Sequence, residues 1–101
     1  MRVSAGQNHS LGLSTAGAGY AWGNNSFGRL GDGTAIDRNS PVEVTGGLTF
    51  VRLSAGGGHS LGVTSAGVAY AWGINTSGAL GDGTTTHRSA PVAVAGGLTF
   101  R

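Results

Sequence analysis

The 101-residue chain has no cysteine and no lysine, two prolines, and few charges of either sign. Without cysteine there is neither a disulfide framework nor a thiolate metal site. Without lysine there is no phosphate-binding loop, since that loop needs a lysine after its glycines. Charged residues make up 10% of the chain, against roughly 25% in ordinary soluble domains. The net charge of +2 comes from Arg2, Arg29, Arg38, Arg52, Arg88 and Arg101 against Asp32, Asp37, Glu43 and Asp82. No basic cluster appears among them, so a nucleic-acid partner is not expected. No apolar stretch approaches the ~18 residues of a membrane helix, so no membrane partner is expected either. The segment Met1-Arg2-Val3-Ser4-Ala5-Gly6 lacks the apolar run of a signal peptide. A soluble chain is expected, with its compartment left open.

What the chain has is glycine, 21 residues of it, about three times the ~7% usual share. Apolar residues still make up 39%, enough to collapse, so the chain is not a disordered low-complexity segment. Glycine-rich turns between short apolar runs indicate an all-β protein.

The chain also repeats itself. Residues 52–100 restate residues 2–50, and most aligned positions are identical. The shared positions include Gly6/Gly56, His9/His59, Tyr20/Tyr70, Trp22/Trp72, Gly23/Gly73, Gly31/Gly81, Asp32/Asp82, Gly33/Gly83 and Pro41/Pro91. A period of this length makes each copy one supersecondary unit that cannot bury its apolar face alone. Residues 1–50 and 51–101 are therefore read as two units.

Four strands are expected in each unit: 2–5, 9–14, 18–22 and 41–44 in the first, 50–55, 59–64, 68–72 and 91–94 in the second. Alternation supports them, and proline at the start of the last suits an edge strand. Turn chemistry falls between, at Ala16-Gly17, Ala66-Gly67, Asp32-Gly33 and Asp82-Gly83. No helical stripe competes. One sheet face is expected to carry the large groups Leu11, Leu13, Tyr20 and Trp22, and the other the small Gly12 and Ala21. A large face then fits the small face of the next sheet, which makes the stack head-to-tail.

Four-stranded units stacked by their faces describe a β-propeller. The wording within each unit resembles the regulator-of-chromosome-condensation repeat. It reads Ser54-Ala55-Gly56, His59-Ser60-Leu61, Tyr70-Ala71-Trp72-Gly73, Asn75, Gly78, Leu80-Gly81-Asp82-Gly83-Thr84, Arg88 and Pro91-Val92, with the same elements from Ser4 to Val42. The resemblance covers nearly the whole chain and implies propeller blades, usually seven to a ring. It carries over no activity. The family's exchange factor uses an inserted wedge, and its light receptor a dense tryptophan cluster. This chain has no insertion and one tryptophan per unit.

Candidate chemistry is thin. Gly58-His59-Ser60-Leu61-Gly62 matches a nucleophile elbow, but that motif works only on a strand-to-helix turn. His9 and His59 are expected to orient a turn or cap a strand end, and Asp32 and Asp82 to bond their own turn backbones. No catalytic residue, metal or cofactor is expected. The 23–40 and 73–90 segments are long loops. Asn24, Phe27, Arg29, Asp37, Ile74 and His87 differ between the units there and form the candidate ligand surface.

Two units leave two open faces, so the expected partner is a second copy of the chain. A tetramer of eight blades is preferred to a trimer of six, because two-blade chains make only even rings. The tail Leu98-Thr99-Phe100-Arg101 and the head Met1-Arg2-Val3-Ser4 match the wording of the junction between the units. The closeness of the copies points to an engineered, reconstructed or recently amplified sequence. The alternative is a fragment of a larger propeller whose loops hold a protein ligand.

Overall fold

The computed structural model describes residues 2–5 (backbone alone), 8–75, 80–84 and 86–94. Met1, Gly6, Gly78 and the 98–101 tail, each named above, lie outside the described residues. Eight strands are present: β1 (Arg2–Ala5), β2 (His9–Leu13), β3 (Gly19–Gly23), β4 (Arg38–Glu43), β5 (Phe50–Ala55), β6 (His59–Thr64), β7 (Ala69–Gly73) and β8 (Arg88–Ala93). They form two four-stranded sheets in the orders β1-β2-β3-β4 and β5-β6-β7-β8. Every pairing is antiparallel.

The strands follow the alternation, with shifted edges. β4 and β8 begin three residues before their prolines, so Pro41 and Pro91 sit within outer strands rather than at their starts. An outer strand tolerates this because one row of its N–H groups has no ladder to serve. Between β3 and β4, Ser26–Gly28 forms a short 3-10 turn.

The hairpins show why the turns fall where they do. Gly17 N–H donates to Ser14 O at 3.0 Å and Ser14 N–H to Ala18 O at 3.0 Å. Gly67 and Thr64 repeat the pattern with Val68. Both glycines take a positive φ, 87° and 84°. This is a type I turn closed by a left-handed residue, a common three-residue hairpin.

The assignment of faces needs a larger correction. Leu11 lies opposite Ala21, Gly12 opposite Tyr20 and Ser10 opposite Trp22. Opposed residues in an antiparallel pair share a face. Leu11, Leu13 and Ala21 therefore stand together, and Tyr20 and Trp22 stand on the other side with Gly12. Each face mixes large and small groups.

The two sheets stack through unlike faces. Leu11, Leu13 and Ala21 of the first sheet share one core with Leu30, Val44, Phe50 and Trp72, and Leu48, Leu53, Ala55 and Tyr70 pack at its edge. β2 packs on β5, and the 3-10 turn packs on β7 and β8. The exposures of equivalent residues show the direction of stacking. Leu11 is 0% exposed and Leu61 37%. Trp72 is fully buried, whereas Trp22 is half-buried. The Leu11 face of sheet one thus meets the Trp72 face of sheet two, leaving a Trp22 face and a Leu61 face outward.

Two small residues let this contact close. The Phe50 ring lies over Gly62, where a Cβ would run into it. Gly31 lies against the Trp72 indole: a Cβ there would stand 2.7 Å from Nε1, at a φ of +75° that disfavours a side chain in any case. Gly31→Ala should therefore cost about 3 kcal/mol, from the left-handed backbone and the overpacking together. Gly33 has a similar φ of +83° but only Thr45 Cγ2 at 3.8 Å, so Gly33→Ala should cost only about 1 kcal/mol. Urea unfolding of both variants checks this; equal costs would mean that Trp72 is not seated on Gly31.

Candidate functional site

The polar centre of the contact between sheets is built by the strand starts. His9 opens β2 and Ser60 is the second residue of β6. Strand alternation turns His9 to the Leu11 face and Ser60 to the Trp72 face, so they meet across the gap. His9 Nε2 and Ser60 Oγ are 3.0 Å apart, and the serine hydroxyl donates to Arg29 O at 2.8 Å. One hydroxyl proton cannot serve both partners. The histidine is therefore the donor, neutral, with its proton on Nε2. Nδ1 is then a lone pair, buried without a partner. Burial, then the Arg29 charge, then His59 lower the His9 pKa from 6.5 to about 4.

The expectation that His9 serves its own turn is thereby corrected: it links the two sheets. The nucleophile-like pentapeptide is explained as well. Ser60 is 0% exposed, its proton is committed to a carbonyl, and the adjacent imidazole donates rather than accepts. No substrate reaches this oxygen, and no base is poised to activate it.

Arg29 was expected at the ligand surface, but it is 7% exposed. Its guanidinium donates to Ser26 O through Nε at 3.1 Å and to Gly57 O through Nη1 at 3.2 Å. It therefore clamps sheet two with both its carbonyl and its side chain. Gly33 N–H adds a bond to Ser89 O at 2.8 Å.

The loops beside the contact have a hub in Asn75 of the repeat wording and its counterpart Asn25, whose role the sequence did not disclose. Asn25 is fully buried. Its Oδ1 accepts Leu30 N–H at 2.9 Å. Its Nδ2 lies within 3.1 Å of Asp32 Oδ1, Thr34 O and Ile36 O. Asn75 repeats the set with Leu80, Asp82, Thr84 and Thr86. A primary amide can hold both a carbonyl and an N–H in such a loop, which explains asparagine at positions whose neighbours drift. Asp32 and Asp82 bond their own turns, accepting Thr34 N–H and Thr84 N–H at 3.0 Å. They also hold Arg38 and Arg88, at 3.0 and 2.9 Å. Burial pushes the Asp32 pKa up, but the Thr34 hydroxyl and amide, Asn25 and Arg38 outweigh it and hold the group low. For Asp82 the Thr84 hydroxyl is the largest influence, and the group is also held low.

The other differing positions separate by exposure. Phe27, Asp37 and His87 are exposed; Asn24 and Ile74 are half-buried. Ile74 packs over Gly58, and Asn24 N–H donates to Asn8 O at 2.8 Å. Asp37 Oδ1 accepts Asn25 N–H at 2.7 Å, and His87 Nδ1 accepts Asn75 N–H at 3.0 Å. The aspartate and the histidine thus do one job at equivalent positions. Phe27 is 52% exposed with a left-handed φ of 61°, and its ring centre lies 4.6 Å from that of His87, just before β8 of the other blade. Of the remaining repeat positions, Tyr20 and Trp22 lie on an outward face, Pro41 is exposed, and Gly56 N–H bonds His59 O at 2.8 Å.

Four-stranded antiparallel sheets stacked face to face, each with the same strand order, define this chain as a pair of propeller blades. The model of the regulator of chromosome condensation (RCC1) repeat matches residues 16–63 and 66–100, and a second model of the same repeat matches 2–29 and 50–79. The chain belongs to this repeat family. Among curated proteins, it is 42% identical over 43 residues to the ultraviolet-B receptor UVR8 of Arabidopsis thaliana, covering 43% of this chain and 10% of that protein. Among solved structures, Prp20p of Saccharomyces cerevisiae superposes with a TM-score of 0.86 at 26% identity, over 96% of this chain and 26% of that one. Human WBSCR16 gives 0.79 at 27% identity, over 92% of this chain and 24% of its own. The chain therefore spans about a quarter of these structural relatives and a tenth of the curated one. Prp20p is described with binding properties to Gsp1p and histones, and yeast RCC1 as bound by Kap60.

The buried neutral His9 makes stability depend on pH. Its folded pKa of about 4 lies below its unfolded value of 6.5, so the unfolded chain binds the extra proton between them. Stability is then complete above about pH 6.5 and falls as pH drops toward 4, by at most about 1.4 kcal/mol per pH unit. Urea midpoints at one protein concentration should fall between pH 7 and 4.5. His9→Gln, which keeps a donor but cannot titrate, should flatten the decline; an unchanged slope would remove His9 as its cause.

Proposed function

We propose that this pair of blades is a structural and interaction scaffold that completes its ring by stacking on further copies of itself. The observation that carries the reading is the contact inside the chain. There a Leu11 face meets a Trp72 face, and the faces left outward are the complementary pair. His59, Leu61 and Val63 stand where His9, Leu11 and Leu13 stand in sheet one. Ser10, Gly12, Tyr20 and Trp22 repeat Ser60, Gly62, Tyr70 and Trp72. A hollow of about 310 Å³ over β5 and β6, lined by Arg52, Leu53, Ser54, Leu61, Gly62 and Val63, supports a neighbour on that side. Such a contact is head-to-tail and must close into a ring or run on. With two blades per chain, an eight-bladed tetramer is preferred, and a six-bladed trimer is the nearest other closure.

A second reading rests on the length of the relatives. The pair would be one segment of a longer propeller, its outward faces covered by further blades, with the 23–40 and 73–90 loops holding a protein partner. The protein binding described for Prp20p favours it.

Native mass spectrometry of the 101-residue chain separates the two. Self-completion predicts one discrete assembly of four chains, or of three. A chain that stays monomeric across the accessible concentration range would contradict it.

A further inference from the structure

We infer that a ring made from this chain has two unequal kinds of seam, tight within a chain and looser between chains. The inference rests on the self-stacking reading above. The outward faces keep most of the internal seam and lose two of its side-chain contacts.

The shared part is nearly complete. His9–Ser60 is the internal link, 3.0 Å between Nε2 and Oγ; between chains it becomes His59 of one copy with Ser10 of the next. Leu11, Leu13 and Ala21 become Leu61, Val63 and Ala71. Tyr70 and Trp72 become Tyr20 and Trp22. The one change in this set removes a single methylene, Leu13 to Val63. A second copy therefore fits the Leu61 face in the register of the internal contact.

Two side-chain clamps are not shared. The Arg29 guanidinium reaches across to Gly57 O at 3.2 Å from a buried position, and a charged hydrogen bond of this kind is stronger than a neutral one. The position one repeat later is Ala79, which has no donor. The Phe27 ring sits 4.6 Å from the His87 ring of the other blade. One repeat away the pair is Ser77 with Asp37, and neither is aromatic. Both losses fall on the same seam, the one between chains.

Restoring the missing groups is the test. The triple variant Ser77→Phe, Ala79→Arg, Asp37→His writes into the second seam the residues that the first already carries. Asp37→His keeps the capping of Asn25, because His87 already accepts the equivalent amide through Nδ1. Sedimentation equilibrium gives the dissociation constant between chains, and circular dichroism gives the fold of each variant. Ala79→Arg alone is the milder second variant if the triple does not fold.

The expected result is at least a tenfold tighter association for the triple variant and several-fold for Ala79→Arg. If the parent chain assembles and neither variant tightens it, the seams are equal and the inference falls, while self-stacking stands. If only the variants assemble, the clamps decide the seam as inferred, and self-completion by the parent chain falls. If all remain monomeric, both fall together.

Discussion

The contact between the two sheets is the constraint on which the rest of this molecule depends. Neither blade could bury its apolar residues alone, because each sheet is a single layer with two faces. Stacking solves this for one face of each. Leu11, Leu13, Ala21, Phe50 and Trp72 join one core, and the polar strand starts are linked in the same step by the His9–Ser60–Arg29 chain. The 3-10 turn and its loop exist to reach across: Arg29, Gly31 and Gly33 all contact the second sheet. The Asn25 hub stands behind them and holds that loop in shape. Chemistry that looks like a site in one dimension, a serine beside a histidine, is the seam itself.

The sequence disclosed its strands and turns because each is a local matter. Alternation over 9–14 and 18–22 and the glycines at 17 and 67 required no knowledge of distant residues. The faces were not legible in the same way. Which residues of β3 lie beside Leu11 depends on the hairpin, and the turn of residues 14–18 sets Leu13 opposite Gly19. One residue more or less would put Tyr20 on the Leu11 face, the arrangement expected from alternation alone. The inter-sheet roles of His9, Ser60 and Arg29 were hidden for a related reason: each acts on the other repeat. Arg29 carried a usable signal, since a difference between repeats beside an unchanged framework can mark an inner seam as well as a ligand surface. Asn25 and Asn75 carried a better one, as polar residues that persist where residues 24, 26 and 27 change.

Membership of the RCC1 repeat family and the likeness to Prp20p fit this picture of blades as interchangeable parts. In a long propeller the neighbour of each blade is supplied by the same chain. The outward Trp22 and Leu61 faces carry the residue types of the two sides of the contact already made between the sheets, with Val63 in place of Leu13. Repeat proteins behave in this way, with stability shared between the units and the interfaces that join them.

The measurement that tests the central claim most directly is site-specific crosslinking, for which a chain without cysteine is well suited. The double variant Ser10→Cys, His59→Cys carries one thiol on each outward face, at the pair that would meet in a second seam. A short bis-reactive thiol linker should join these chains into covalent oligomers, joining position 10 of one copy to position 59 of the next. The matching variant His9→Cys, Ser60→Cys should give only an internal link within one chain. Links between two copies of position 10, or no link between chains at assembling concentrations, would contradict a shared head-to-tail contact.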